Sequence, residues 1–508
     1  ASCGLSWIGL PAVELPRNER GGAESYVRIR RCIGLRHRDY HQEVEVDMSQ
    51  IGFSRRQVVK GMAAGAAGLA LTGCAPAATP QVIEKEVIKE VEKEVTKEVE
   101  KVVTATPGIM VKVQVSLWSE LVGSKEEGRA ALLSAFNAAS DDIEVVHEPT
   151  FGSDETAQKF LTAVAGGIVP DLLGNGADYI PGYAEIGALT DLGPFMEASD
   201  TVKLDSFPPG VISLCMYDNK VWGVPVYADT MVLYYNKGLL GEAGLDPEKP
   251  PRDWEAFREA AIATAKRDAS GKLLVSGCGI GPWSAPRIFM PWLYAWGGQM
   301  YNDDVTKAAF NGPEGKEVLS NIFNLIYEDR VTDFGWGEEF EDSVNEPFVA
   351  ETMAMTFDVP AATRRIVRWR PDFQNWGLIG LPAGPEGFAQ LASSCALMIP
   401  KNAKHPKEAW RVIEYWMQPK VMVRWAKDIF RPPSTLGAME DEAVMQDPRI
   451  APVAEALQYV VEMPQTTKYG EIFNALSAEI ELALVGDKSA DQALDDAAEA
   501  VDLILARS

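Results

Sequence analysis

Apolar and polar residues alternate along the middle of this chain in a pattern that predicts strands and helices in turn. Residues 110–118 alternate with a period of two, which is typical of a half-buried strand. A helix is predicted at 126–138, a second strand at 143–146, and a second helix at 156–166, ahead of the short apolar strand 172–173. Strands and helices in this order predict an α/β fold, with a mostly parallel sheet that carries helices on both faces.

The last hundred residues follow a different pattern. From Lys404 onward the chain is predicted to be mostly helical and to end in a helix at 489–506. About 400 residues follow position 108, which is more than one hydrophobic core usually holds, so two lobes are predicted. In parallel sheets, ligands bind at the carboxyl ends of the strands. Those ends carry Trp118 and the segment 175–179.

A charged repeat precedes this region. Between residues 80 and 103, Val and Lys each recur every four residues, and Glu–Lys pairs three apart would meet on a helix surface. A period of four overshoots the helical turn, so the Val stripe winds around the helix and makes no fixed seam. We therefore interpret 74–108 as a charged helical spacer.

Residues 48–73 have the parts of a bacterial export signal. The pair Arg55-Arg56 is followed by an uncharged stretch of small and apolar residues, which ends in Leu71-Thr72-Gly73-Cys74. The apolar stretch is shorter than the ~20 residues of a membrane-spanning helix. The end resembles a lipobox, and the paired arginines resemble a twin-arginine (Tat) signal. We expect cleavage before Cys74 and acylation of its thiol, which would anchor an extracytoplasmic protein to the cell membrane.

If Met48 is the true start, residues 1–47 lie upstream of the signal. They show scattered charges and no sustained periodicity. We interpret them as a non-native upstream extension and exclude them from the predicted fold.

The net charge of the chain makes some classes of binding partner unfavourable. The chain has 48 Lys and Arg against 73 Asp and Glu, a net charge of −25 at pH 7. Such a surface disfavours nucleic acid as a partner. Three cysteines remain after the signal in the predicted globular part, namely Cys215, Cys278 and Cys395. They form either one disulfide and one free thiol or three buried, unpaired thiols.

Several segments together resemble the bacterial extracellular solute-binding proteins of the maltose-binding type, the ligand-capturing subunits of ABC importers. In Phe348-Val349-Ala350-Glu351, Glu351 stands where the family usually has Gly. Each motif is short, but their order and spacing match the family over residues 109–508. The segments that carry the resemblance are 221–229, 233–237, 250–257, 348–355, 379–382, 398–401 and 488–494.

The resemblance implies a two-lobed periplasmic-binding-protein-like fold (type II), in which each lobe is a sheet flanked by helices and the ligand lies in the cleft between them. By position, lobe 1 would contain 109–228 with 391–433, and lobe 2 would contain 229–390 with 434–508. The lobes would close on the ligand as a hinge. The resemblance also implies a monomer that works with the transmembrane subunits of an ABC permease, without cofactor or metal.

A sugar site needs aromatic platforms together with carboxylates and amides that bind hydroxyl groups. Residues of these types fall where the family places its ligand contacts, although turn chemistry or core packing would also explain several of them. We expect Trp283 and Trp296 to bind, and Trp292 and Tyr294 to belong to the core. The predicted ligand-binding residues are Trp118, Asn175, Asp178, Tyr179, Tyr227, Asp229, Trp283, Trp296, Phe357, Asp358, Arg431 and Tyr469.

The sequence indicates a binding protein and no catalytic residues. Acidic pairs such as Asp303-Asp304 resemble a glycosidase carboxylate pair, but in so acidic a chain solvated surface explains them better. No Gly-x-Ser-x-Gly, His-Glu-x-x-His or phosphate-binding Gly-rich loop occurs. The predicted ligand is a sugar or oligosaccharide. The alternatives are a polyol or glycerol-phosphate-type solute and, in another class, an exported glycoside-active enzyme.

Overall fold

The computed structural model describes residues 26–33, 40–47, 112–120, 124–150, 152–336 and 346–507. The chain divides into two compact units, 1–103 and 104–508. In the first unit, β1 (Tyr26–Ile33) and β2 (Tyr40–Asp47) form an antiparallel hairpin. This pairing lies in the stretch to which we assigned no element. The predicted export signal at 48–73, Cys74 and the spacer lie outside the described residues.

The second unit contains strands and helices that alternate as the pattern predicts. Its strands are β3 (Val113–Glu120), β4 (Ile143–Thr150), β5 (Leu172–Gly176), β6 (Met216–Tyr217), β7 (Lys220–Val221), β8 (Val224–Pro225), β9 (Val232–Asn236), β10 (Lys266–Arg267), β11 (Leu273–Gly279), β12 (Met353–Asp358), β13 (Trp376–Gly380) and β14 (Cys395–Met398). Its helices are α1 (Ser124–Ala139), α2 (Ser153–Gly166), α3 (Ile180–Glu185), α4 (Gly193–Ala198), α5 (Pro209–Ile212), α6 (Lys237–Glu242), α7 (Trp254–Thr264), α8 (Ser284–Ala295), α9 (Pro313–Tyr327), α10 (Glu346–Val349), α11 (Ala362–Trp369), α12 (Pro406–Trp416), α13 (Pro419–Ile429), α14 (Leu436–Met439), α15 (Glu442–Met445), α16 (Ala451–Ala456), α17 (Tyr469–Leu484) and α18 (Ala490–Leu505).

Two five-stranded sheets, each with its own core, confirm the predicted two-lobed α/β fold. We call the sheet β4-β3-β5-β14-β8 and its helices lobe 1, and the sheet β10-β11-β12-β9-β13 and its helices lobe 2. The lobe 1 core draws on residues 115–227 and 395–438, whereas the main lobe 2 core draws on 231–389 and 472–501. The second half of the chain therefore completes both lobes.

The prediction of a mostly parallel sheet is wrong, since five of the eight strand pairings in the two five-stranded sheets are antiparallel. In lobe 1, β3 pairs in parallel with β4 and β5, but β14 is antiparallel to both β5 and β8. β14 starts at Cys395, which lies opposite Gly176 at the end of β5. The strand therefore runs in the direction opposite to that of β5. In lobe 2, β9 is likewise antiparallel to β12 and β13.

Three segments connect the lobes side by side. Asp229 and Ser393 exchange two backbone hydrogen bonds, with N···O distances of 3.0 and 2.8 Å. The Ala228 N–H donates to the carbonyl oxygen of Pro432 at 3.0 Å. The connection between lobes is thus a narrow, hydrogen-bonded band of backbone.

Cys215 and Cys278 are free thiols, and Cys215, Cys278 and Cys395 are all buried. Of the two alternatives left open by the sequence, the structure favours three buried thiols over a disulfide between two of them. Burial raises the pKa of the Cys215 and Cys278 thiols. They are therefore packed as small apolar side chains.

Candidate binding cleft

A cavity of about 500 Å³ lies between the two lobes. We call it the cleft cavity. Lobe 1 contributes the first turn of α2 and the turn after β5, and lobe 2 contributes α8, the start of α17 and the segment before it. The connecting segment that contains Ser393, residues 391–394, forms part of its wall. The lining residues are Asp154, Ala177, Asp178, Tyr179, Gly210, Ser213, Leu214, Met231, Arg287, Met290, Val359, Leu391, Ala392, Ser393, Ser394, Val461, Glu462, Met463, Gln465, Tyr469, Gly470, Phe473 and Asn474.

Three of the predicted ligand-binding residues line this cavity: Asp178, Tyr179 and Tyr469. The first two lie on a 3₁₀ turn, Ala177–Tyr179, directly after β5. The end of that strand therefore places them at the cleft. Tyr469 is the first residue of α17, in the opposite lobe. The structure therefore brings together residues that lie almost 300 positions apart in the sequence.

Asp178 carries an unusual carboxyl group. Its side chain is exposed to the cavity, but many protein atoms surround it. This enclosure, together with the nearby Glu120 and Asp154 carboxylates, raises the pKa of Asp178 to about 6. Across the cleft, burial and the charge of Asp178 raise the pKa of Tyr469 to about 12. The carboxylates at this end of the cavity thus raise the pKa of groups in both lobes.

Arg287 is a cavity residue that the sequence analysis did not single out. Its guanidinium carbon lies 4.6 Å from the ring centroid of Trp283 and 4.9 Å from that of Phe473. Its Nη1 donates to the Trp283 carbonyl at 2.7 Å. Trp283 itself is packed partly against the lobe 2 core and does not line the cavity. Its contact with the cleft is therefore through Arg287.

Asn175 and Trp118 lie on strands of lobe 1 and do not line the cavity. Asn175 is fully buried, and its amide donates to Tyr183 Oη at 3.0 Å and to the Ser153 carbonyl at 3.3 Å. These bonds tie the end of β5 to the start of α2. Trp118 lies within β3, and Lys159 Nζ stands 4.0 Å from its ring centroid.

Three other predicted residues gather at the connection between the lobes. Arg431 Nε lies 2.7 Å from Asp229 Oδ2, and its guanidinium carbon lies 4.5 Å from the Tyr227 ring centroid. All three side chains are buried. Nearby, Asp358 at the end of β12 pairs with Arg365 at 2.9 Å. Burial raises the pKa of Asp358, and the charges of Arg365 and Arg431 partly oppose that shift.

Trp296 and Phe357 belong to the core of lobe 2. The Trp296 ring packs edge-on against Trp254, with centroids 5.6 Å apart, and its Nε1 donates to Glu317. Phe357 is 1 % exposed and packs against Trp292. Trp292 is fully buried and Tyr294 packs against the same core, as predicted. Neither Trp296 nor Phe357 lines the cleft cavity.

The cavity residues missed by sequence reasoning are chiefly Asp154, Arg287, Glu462 and Phe473. Asp154 lies just before the predicted helix 156–166 and falls in the first turn of the observed helix α2. An acidic residue at that position is a weak local signal. Phe473 had none, because in the sequence it is one more apolar residue of an amphipathic helix. Within the described residues, no helix is long and apolar enough to cross a membrane, and no three His, Cys, Asp or Glu side chains form a group that could hold a metal ion.

Comparison with known proteins shows which family this chain matches. The family model described as "Bacterial extracellular solute-binding protein" matches residues 131–452. The sn-glycerol-3-phosphate-binding periplasmic protein UgpB of Yersinia pseudotuberculosis is 23% identical over 434 residues, covering 80% of this chain and 95% of that protein. An uncharacterized lipoprotein in the oleD 5' region of Streptomyces antibioticus is 26% identical over 357 residues, covering 67% of this chain and 75% of that protein.

Solved structures agree with these sequence matches. The sugar-binding protein MalE of Xanthomonas citri aligns with a TM-score of 0.69 at 25% identity, covering 78% of this chain and 98% of that chain. This chain therefore shares the fold of that sugar-binding protein.

Proposed function

Because this chain belongs to the bacterial extracellular solute-binding family, we propose that its cleft cavity captures a sugar or oligosaccharide. The observation that carries the proposal is the make-up of the cavity. Aromatic faces from Tyr179, Tyr469 and Phe473 stand beside hydrogen-bonding groups from both lobes. Sugars present apolar C–H faces and hydroxyl edges, and these two kinds of wall complement them.

The size of the cavity is in keeping with this ligand class. A volume of about 500 Å³ lies within the usual range of small-molecule sites, roughly 300–1,000 Å³. Tyr179 and Tyr469 come from opposite lobes, so a ligand in contact with both would hold the lobes together. The sugar-binding relative of known structure supports the same class of ligand.

Capture is proposed to proceed by hinge closure. The connecting band at Asp229, Ser393 and Pro432 is narrow, so small backbone rotations there would move whole lobes. A ligand that binds the closed form more tightly shifts the population toward it. Small-angle scattering would then show a smaller radius of gyration at saturating ligand, and an unchanged radius would contradict closure.

We propose that the protein works at the outer face of the cell membrane as a monomer, held by acylated Cys74, and delivers its solute to the transmembrane subunits of an ABC permease. Its support is the lipobox-like segment 71–74 and the lipoprotein among its relatives. Cys74→Ala should release the protein from membranes. An intact mass with an unmodified N-terminus upstream of residue 74 would contradict the anchor.

Two alternatives are weighed against this proposal. A glycerol-phosphate-type solute is favoured by the UgpB relative, but carboxylates at 154, 178 and 462 would repel a phosphate in the cavity. An exported glycoside-active enzyme would use two of these carboxylates for hydrolysis. The named relatives given above include binding proteins, which favours a role without turnover.

The deciding experiment is a thermal-shift screen of the second unit against a carbohydrate library, followed by calorimetry on each hit. Stoichiometric binding of one sugar series, without release of shorter products on prolonged incubation, is the expected result. Product release would support the enzyme alternative. A response to glycerol phosphates and to none of the sugars would replace the proposed ligand class.

A further inference from the structure

We infer that the solute captured in the cleft cavity carries a positive charge, as a protonated amine on a hydroxylated ring does. The inference rests on the proposed function and narrows its ligand class. The observation behind it is that acidic side chains outnumber basic ones around the cavity. Among the described residues that line it, Asp154, Asp178 and Glu462 bring carboxylates, and Arg287 brings the one guanidinium.

Arg287 does not offset the negative charge of the lobe 1 wall, where most of the cavity carboxylates lie. Arg287 is held between the rings of Trp283 and Phe473, and its Nη1 donates to a backbone carbonyl. These contacts fix the guanidinium on the lobe 2 wall. The lobe 1 wall carries Asp154 and Asp178, with Glu120 behind them.

Asp178 lies close to two other acids of lobe 1. Glu120 on β3 and Asp154 on α2 raise its pKa, and the charge of Asp178 in turn raises the pKa of Tyr179, of Tyr183 and, on α17, of Tyr469. Behind them, the buried guanidinium groups of Arg129 and Arg431 act on Glu120. Arg287 on α8 completes the surroundings. Among the described residues, no lysine or arginine forms an ion pair with Asp178. A cationic ligand would supply the missing charge and relieve the repulsion among the carboxylates.

The aromatic walls fit the same ligand. An ammonium group is attracted to the face of an aromatic ring as well as to a carboxylate. Tyr179 and Tyr469 line the same cavity as Asp178, one in each lobe, and the charge of Asp178 acts on both. A hydroxylated amine could therefore place its charge near Asp178 while its ring lies against a tyrosine.

The test compares three sugar series of equal length and linkage by calorimetry at pH 7: β-1,4-linked glucosamine oligosaccharides, their N-acetylated forms and the matching glucose oligosaccharides. We expect the glucosamine series to bind about tenfold more tightly or better than the other two. Asp178→Asn should remove most of that preference, because it removes the carboxylate charge that the ammonium group of the ligand would face. Glu462→Gln should reduce the preference as well, and it serves as a second variant if Asp178→Asn melts early. Glu440→Gln, an exposed acid outside the cavity, is the matched control and should change neither affinity.

The outcomes separate this inference from the function on which it rests. Equal affinity for the three series overturns the charge inference and leaves sugar capture standing. Binding of 1,4-diaminobutane as tight as that of the amino sugars supports the positive charge and overturns the sugar. A glucosamine preference that survives both Asp178→Asn and Glu462→Gln overturns the inference, because other residues would then bind the charged group of the ligand.

Discussion

Arg431 Nε lies 2.7 Å from Asp229 Oδ2 where the chain crosses between the lobes, and the two side chains are only 7% and 3% exposed. Tyr227 packs on the guanidinium, with its ring centroid 4.5 Å away. Three residues that the sequence places among the ligand contacts are therefore engaged with one another. The pair joins the segment leaving lobe 1 at 229 to the segment after α13, beside the backbone bonds of the connecting band.

Breaking that pair should destabilise the protein. Asp229→Asn leaves a buried guanidinium without its counter-charge, which costs about 3–5 kcal/mol in comparable buried pairs. Urea unfolding would measure the loss. Asp142→Asn is the matched control, since Asp142 and Arg411 form an ion pair at 2.7 Å with both side chains about half exposed. The control should shift the unfolding midpoint far less. Equal effects from the two variants would show that the buried pair contributes no more to stability than the exposed pair does.

Asp178 should make stability depend on pH in a direction opposite to that of most carboxylates. Its pKa is about 6 in the folded protein, against 3.8 for an ordinary Asp. Between these values the folded state binds more protons than the unfolded state, so stability falls as pH rises through this window. Asp178→Asn removes this penalty. We expect the melting temperature of the variant to exceed that of the wild type at pH 7.5 and to approach it near pH 4. A difference that is the same at both pH values would contradict the raised pKa.

Tyr469 should be a main aromatic contact of the ligand. Tyr469→Ala removes the ring from the cavity wall, and anchors of this kind cost about 2 kcal/mol or more on truncation, or roughly thirtyfold in affinity. Calorimetry with the sugar identified by screening measures the change. Trp369→Ala is the control, because Trp369 is 49% exposed on α11 and lies outside the cavity. Unchanged binding by Tyr469→Ala would remove this residue from the site.

Trp283 should act on the ligand through Arg287. Trp283→Ala deletes one of the two rings that hold the guanidinium, so we expect lower affinity together with a lower melting temperature. Trp283→Phe keeps an aromatic face under the guanidinium, a contact worth about 0.5–1 kcal/mol at exposed sites, and should restore most of the affinity. If the two variants bind equally well, the stacking on Arg287 has no part in ligand binding.

The three buried thiols should be unreactive until the protein unfolds. Cys215, Cys278 and Cys395 are at most 2% exposed, and burial raises the pKa of the first two, so little thiolate is available to react. Alkylation at pH 8 followed by peptide mass spectrometry should find them unmodified in the folded protein and fully modified in urea. Rapid labelling without denaturant would show that the cores open readily.

The local pattern of the sequence was sufficient for several of the helices and strands and for the α/β class, but it did not give the direction in which the strands pair. The helix predicted at 156–166 is observed as Ser153–Gly166, and the final helix predicted at 489–506 is observed as Ala490–Leu505. The turn after β5 could also be predicted, since polar residues directly after a short apolar strand mark the edge where ligands bind. Asp178 and Tyr179 were found in this way.

The pairing of side chains could not be predicted from the same pattern. An aromatic residue on the buried face of a helix can face either a core or a cavity, and its periodicity is the same in both cases. Trp296 packs against Trp254 from another helix. Phe473 reaches the cavity because α17 starts at the cleft.

What the sequence by itself determined is therefore the order of helices and strands, the division into two lobes and the family, because these depend on local periodicity and on motifs in a set order. Tertiary structure alone decided which charges neutralise each other. Asp229 and Arg431 form an ion pair across 202 positions of sequence, whereas Asp178 faces other carboxylates and a tyrosine from the opposite lobe. Electrostatic interactions depend on distance in space and on burial, and neither is set until both lobes have folded around the cleft.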